Sequence, residues 1–362
     1  MVLGLSASQL TGQLLCVGFD GAALPASLED ELRAGRRGGA ILFRRNLPSL
    51  EVAHELCSSI RRAAPAELPP FIAVDQEGGR VTRLPSPAAS LPPMRRLGDI
   101  GDEALAGRAG TAVARELATL GFNLDFAPVL DVDSNPANPI IGDRSFGRDA
   151  ARVAALGIAF ARGLEAGGVL ACGKHFPGHG DTLTDSHLEL PHVPHARARL
   201  DRVEIEPFAA AARAGLSSLM SAHVVYAGLD AGVPATLSPA VCSSLLRDQL
   251  GFDGVLFSDD LEMRALSDRM SYEESAVGAV LAGCDVLLVC HDAGAQQRAH
   301  AALTRRAEAD PGFYRRCEEA AERGLRARRR LPPRPAPSIG ELKQRLARSG
   351  LAEIVAEIAA RP

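Results

Sequence analysis

The chain contains no tryptophan, and aromatic residues make up only 4% of its 362 positions. It therefore has little with which to build a long stacking surface. It also lacks a disulfide framework. The seven cysteines are odd in number, no CxxC pair occurs, and most lie in apolar runs such as Gln13-Leu14-Leu15-Cys16-Val17. They read as small buried hydrophobes in a reducing compartment. No charged stretch followed by an apolar one opens the sequence, so a secretory signal is not expected. No apolar run reaches the ~20 residues that span a bilayer. A soluble, cytoplasmic protein is expected. A strong charge of either sign is missing too. The net value of -4 gives no reason to expect a nucleic-acid partner or an anionic membrane surface.

What is present is a hydrophobic fraction of 46%, enough for a large core, and a repeating pattern. Short apolar runs alternate with helical periodicities, which argues for βα units and a parallel sheet. Eight strands are predicted, at Leu14–Gly18, Ala40–Arg44, Phe71–Asp75, Leu124–Val129, Gly168–His175, Ser218–His223, Val255–Asp259 and Asp285–Cys290. Their inner positions are almost continuously apolar, as in strands buried on both faces. Between them lie helix signals. Ser49 precedes Val52, Leu56 and Ile60, Ser238-Pro239 supplies a cap with proline at N1, and Ser271 with Glu274 forms a capping box. Eight such units predict an α/β fold, a single (β/α)8 barrel over residues 1–331. A doubly wound open sheet is the competing topology. Residues 332–362 form a tail, expected to carry an amphipathic helix from Ile339 to Ala359 that packs on the barrel exterior.

In a parallel barrel, functional side chains come from the C-terminal ends of strands. Charged groups recur at five successive ends here. They are Asp75-Gln76-Glu77 with Arg80 and Arg83, Asp131 followed by Asp143-Arg144, Lys174-His175 onward, His223, and Ser258-Asp259-Asp260. Gathered at one mouth they would cost stability unless they bind or react. Such a mixture suits a polyhydroxylated substrate, with Lys and Arg donating to oxygens and Asp accepting from hydroxyls. The loop after strand five holds His175, His179 and His187 with Asp181 and Asp185. Three readings compete for it. The ligand types suit a metal, but the spacing matches no strong zinc motif. Some histidines could simply tie the loop together, His179 foremost. In the third, Asp185 orients the His187 imidazole two residues on, leaving its other nitrogen to shuttle protons. Gly173, Gly178 and Gly180 would let the loop move over a substrate.

The run Lys174-His175-Phe176-Pro177-Gly178-His179-Gly180-Asp181-Thr182 with Asp185-Ser186-His187 resembles bacterial β-N-acetylhexosaminidases of glycoside hydrolase family 3. That group includes cytoplasmic enzymes of peptidoglycan recycling. The Asp75–Arg83 segment, the stretch from Asn135-Pro136 through Gly147, and Gly254-Val255-Leu256-Phe257-Ser258-Asp259-Asp260-Leu261-Glu262-Met263 resemble the same family, in the same order. The resemblance spans roughly residues 10–305 and implies a barrel acting alone. It implies retention of configuration, with Asp259 as nucleophile, His187 as proton donor and Asp185 as its dyad partner. Asp75, Arg83, Arg144, Lys174 and His175 are implied to hold the N-acetylglucosamine ring, with no metal and no cofactor. Glu77 and Arg80 receive no role.

The implied substrate is a small saccharide, such as an N-acetylglucosaminyl-anhydromuramyl peptide, and the scarcity of aromatics favours a short pocket taking one terminal sugar. A monomer is expected. Rival readings remain. A neutral imidazole in place of a second carboxylate would also admit phosphate as nucleophile, making a phosphorylase. A β-glucosidase or β-xylosidase would use the same scaffold, and a non-catalytic sugar-binding protein would keep the pocket. An aldolase built on Lys174 as Schiff-base amine leaves Asp259 and the Asp185–His187 pair unexplained.

Overall fold

The computed structural model describes residues 4–184, 186, 189–335 and 337–362. Its ten strands are β1 (Leu15–Val17), β2 (Gly39–Leu42), β3 (Phe71–Val74), β4 (Leu124–Asp125), β5 (Leu170–Phe176), β6 (His192–Val193), β7 (Ser218–Ser221), β8 (Val225–Tyr226), β9 (Val255–Asp260) and β10 (Val286–Val289). Eight of them close a parallel barrel in the order β1-β2-β3-β4-β5-β7-β9-β10 and back to β1. The open doubly wound sheet is thereby set aside. β6 and β8 pair apart from the barrel, beside its mouth.

Each predicted strand falls on a barrel strand, but their limits differ in instructive ways. β4 keeps only two residues of the expected six. Pro128 has no N–H to give the ladder, so pairing ends early and resumes as a single bridge between Val129 and Lys174. Arg44 leaves β2 to open a 3-10 turn. Side-chain caps form where expected. Ser49 Oγ accepts from Val52 N at 3.2 Å, and Ser271 and Glu274 exchange both bonds of a capping box. Ser238 Oγ accepts from Val241 N at 3.2 Å, although the following turns, Ala240–Gln249, wind as a π-helix.

Inward-facing side chains fill the barrel. Phe257 is its centre, with Phe71 and Phe126 edge-on at 5.3 and 5.2 Å between ring centroids. Such T-shaped contacts place the positive ring edge on the negative face. Arg328 closes the floor. It is fully buried, its guanidinium lies 5.0 Å from the Phe71 ring, and Nη1 donates to the Gly38 carbonyl at 2.7 Å. Outside the barrel, the helices Glu103–Leu120 and Ala150–Gly167 pack unusually close. A Cβ at Gly163 would sit 2.1 Å from the Gly107 carbonyl oxygen, so any larger residue there would force the helices apart.

The tail is two helices, Ile339–Ala347 and Leu351–Ala360, rather than one. Gly350, at φ +80°, turns the chain between them. Leu342, Leu351 and Ile358 are buried, and Arg108 on the Glu103–Leu120 helix pairs with Glu357 at 2.6 Å. No helix among the described residues is long and apolar enough to cross a membrane.

Candidate active site

The C-terminal ends of β3, β5 and β9, with the loop after β4, surround a cavity of about 230 Å³. Asp75, Arg83, Arg144, Lys174, His175 and Asp259 all line it. Six of the eight residues singled out from sequence are thus brought to one place from segments up to 184 positions apart (259 − 75). The other two, Asp185 and His187, lie outside the described residues.

Lys174 is the hub. Its side chain is 3% exposed, and Nζ lies 2.7 Å from Asp75 Oδ1 and 2.6 Å from Glu77 Oε1. Burial alone would lower its pKa, but the two carboxylates outweigh this and hold it above its ordinary value. Glu77 also takes a bidentate pair from Arg144, with Nε and Nη2 both at 2.8 Å. Burial pushes against its charge, yet Arg144 and Lys174 keep its carboxyl well below the usual range. Arg83 Nη2 stands 3.8 Å from Asp75 Oδ2. The cations are therefore fixed by carboxylates behind them, with Asp75, Arg144 and Lys174 still facing the cavity. Nearby, burial lifts Asp125 to about 8.

His175 is held from behind in the same way. Asp131 Oδ2 lies 2.7 Å from its Nδ1, while Oδ1 accepts from the backbone N–H groups of His175 and His179. Both the Lys174–His175 and Phe176–Pro177 peptide bonds are cis.

Asp259 is the penultimate residue of β9, and its Oδ1 accepts from the N–H of Asp260 at 2.8 Å. The Asp260 carboxylate braces the loop, with Oδ1 accepting from Glu262 N and Cys290 N at 3.1 and 3.3 Å. Burial raises Asp260 to about 7. At the rim, Phe43 and His291 stack with ring centroids 5.8 Å apart.

Gly173, within β5, and Gly180, in the loop beyond it, are closely packed. A Cβ at Gly180 would lie 1.6 Å from the Val132 carbonyl oxygen, and one at Gly173 would lie 2.5 Å from Leu130 Cδ1. At both positions the missing side chain admits a backbone or side-chain approach that a Cβ would block. Sequence reasoning also left out Glu77 and placed Asp131 at a strand end without a task. The available signal was their position, since both sit in loops that already carried candidate residues. Among the described residues no group of three His, Cys, Asp or Glu is arranged to hold a metal ion.

Residues 8–322 match the family described as the glycosyl hydrolase family 3 N-terminal domain. A β-hexosaminidase of Neisseria meningitidis is 43% identical over 261 residues, which cover 70% of this chain and 71% of that protein. Among solved structures, a family 3 β-N-acetylglucosaminidase from Paenibacillus superposes with a TM-score of 0.87 at 40% identity. That match covers 96% of this chain and 68% of the other. NagZ from Neisseria gonorrhoeae, in complex with N-trifluoroacetyl-D-glucosamine, superposes with a TM-score of 0.73 at 33% identity, covering 94% and 97%.

Proposed function

The chain belongs to glycosyl hydrolase family 3, and we propose that it is a retaining exo-β-N-acetylglucosaminidase acting on small peptidoglycan-derived saccharides. One observation carries the reading. The cavity is small, about 230 Å³ against the ~300 Å³ at which clefts for drug-sized ligands begin, and it has Asp259 in its wall opposite a preorganised set of carboxylates and cations. A single terminal sugar suits that volume better than a run of them. Asp75 accepts from sugar hydroxyls, while Lys174, Arg144 and Arg83 donate to hydroxyl and carbonyl oxygens. Their own partners restrain them, so little ordering cost falls on the substrate.

In this reading the Asp259 carboxylate attacks the anomeric carbon as the glycosidic bond breaks. His187, with Asp185 as its orienting partner, gives its proton to the leaving oxygen. Water then attacks the glycosyl-aspartate ester, His187 takes the proton back, and the sugar leaves with its configuration retained. The muropeptide substrate follows from the family resemblance. A reducing compartment is consistent with seven cysteines that are all free and buried.

The test uses an aryl β-N-acetylglucosaminide beside the matching β-glucoside, with chelator and with phosphate in parallel arms. Selective release from the N-acetylated substrate, indifferent to chelator, is expected, and Asp259→Asn should abolish it. Release from the glucoside alone would move the protein to another sugar. Sugar 1-phosphate formed in the phosphate arm would replace hydrolysis with phosphorolysis.

A further inference from the structure

Ser186 stands between Asp185 and His187 in the chain, and it is held far more firmly than its surroundings suggest. Leu183, three residues earlier, is 70% exposed, whereas Ser186 is 2% exposed and reaches the cavity. Its Oγ lies 3.1 Å from His179 Nε2, and its carbonyl accepts from Ala265 N at 3.3 Å. Ala265 belongs to the short helix Arg264–Ser267, which follows Asp259 and Asp260 at the end of β9. One residue is thus tied by its side chain to the loop after β5 and by its backbone to the segment that carries Asp259.

The His179 end of this tie is itself fixed. Its backbone N–H donates to Asp131 Oδ1 at 2.7 Å, and its carbonyl accepts from Asn138 Nδ2 at 2.9 Å. Thr182 Oγ1 lies 2.9 Å from Nδ1 and 3.2 Å from the His179 carbonyl oxygen, and receives a hydrogen from Asn138 at 3.1 Å. Both ring nitrogens are thus engaged by hydroxyls, Nδ1 by Thr182 and Nε2 by Ser186, and each hydroxyl can donate or accept. Burial drops His179 to about 4, so at neutral pH the ring is uncharged, with one nitrogen donating and the other accepting.

We propose that Ser186 is a positioning residue for the proton donor, its hydroxyl anchored by His179 and its carbonyl by Ala265, so that the residues bonded to it are set relative to Asp259. The proposal rests on the acid/base reading of His187 given above. Adjacent α-carbons are 3.8 Å apart, so Ser186 is the described residue nearest along the chain to both members of the pair. A proton donor displaced by about 1 Å costs up to about 100-fold in rate. The cost falls on substrates whose leaving group needs protonation.

Ser186→Ala and Ser186→Thr should be compared with wild type and His187→Ala on an alkyl and a dinitrophenyl β-N-acetylglucosaminide. For Ser186→Ala, kcat on the alkyl glycoside should fall about 10- to 100-fold. On the dinitrophenyl glycoside it should change less than about 3-fold, with KM steady on both. Ser186→Thr, which keeps the hydroxyl, should restore the alkyl activity. Equal losses on both substrates, no loss on either, or a threonine variant that behaves like alanine would overturn the proposal. If His187→Ala separates the two substrates and Ser186→Ala does not, only the positioning role falls. If His187→Ala slows both equally, the acid/base reading has failed as well.

Discussion

Two buried ion networks sit at opposite ends of the same barrel. At the C-terminal mouth, Glu77 and Asp75 hold Lys174 and Arg144. At the other end Asp285, just ahead of β10 and fully buried, holds Arg247 at 2.6 Å, Arg316 at 2.8 Å and Arg323 at 3.3 Å. The Asp285 carboxylate also accepts from the N–H of Leu256 in β9, and Arg316 donates to the carbonyls of Gly283 and Cys284. This second network turns its hydrogen bonds onto backbone and so staples two strands to the helix Pro311–Arg330. Among the described residues the first gives only one donor to backbone, Arg144 Nη1 to the Ile140 carbonyl at 3.2 Å, and leaves a cavity in front of its carboxylates and cations. Buried charge alone therefore does not mark a site. What separates the two is the end of the strands they occupy.

The sharpest way to break this comparison is Glu77→Gln. Gln is close in shape but uncharged, so Arg144 loses its bidentate partner and Lys174 one of two. Removing one member of a buried pair typically costs about 3–5 kcal/mol. Here kcat/KM should also fall by roughly 100-fold or more, since the donors facing the sugar lose their anchor. Steady-state kinetics alongside a denaturant melt would show both. Activity within about 3-fold of wild type would reduce Glu77 to the status of Asp285. The partner experiment is Asp285→Asn. It should lower stability by about 3 kcal/mol while leaving kcat per folded molecule unchanged. A drop in specific activity of the folded fraction would mean that the two ends are coupled through β9 and β10.

The barrel was legible because buried parallel strands write themselves as uninterrupted apolar runs. Asp75, Lys174, His175 and Asp259 stood out because they end those runs, whereas Arg83 and Arg144 lie in the loops beyond and took their expected role from the family resemblance. Glu77 was not, since its meaning depends on Arg144, 67 positions away, and nothing in either loop announces the pairing. Asp131 carries no local sign that it will grip His175, 44 residues on. Limits fared worse than existence. β4 stops short because a proline removes a ladder donor, and β6 and β8 are two residues each, too short for any periodicity. In the tail, the apolar spacing runs straight through Gly350. Only the left-handed turn at that glycine divides the helix, and a period of 3.6 does not register it.

That division exposes a third kind of buried charge, one with no counter-ion. Glu116, on the Glu103–Leu120 helix, lies beneath the turn between the tail helices. Its Oε1 accepts from Ser349 Oγ at 2.9 Å, and Oε2 has no partner among the described residues. Glu77 is buried more deeply still but sits between two cations, and its pKa falls, whereas burial raises Glu116 to about 7. The folded chain therefore holds a proton that the unfolded chain releases above the ordinary value of 4.5. Stability is lost as pH climbs from there to about 7, and stays level above it. Glu116→Gln keeps the acceptor for Ser349 without the charge. It should stabilise the protein by about 1–3 kcal/mol at pH 8 and have little effect at pH 4. Paired denaturant melts at the two pH values check this, the smallest effect of the three. A gain at neither pH would mean that the folded protein balances Glu116 after all, and that the tail is docked by an ion pair like the one at the mouth.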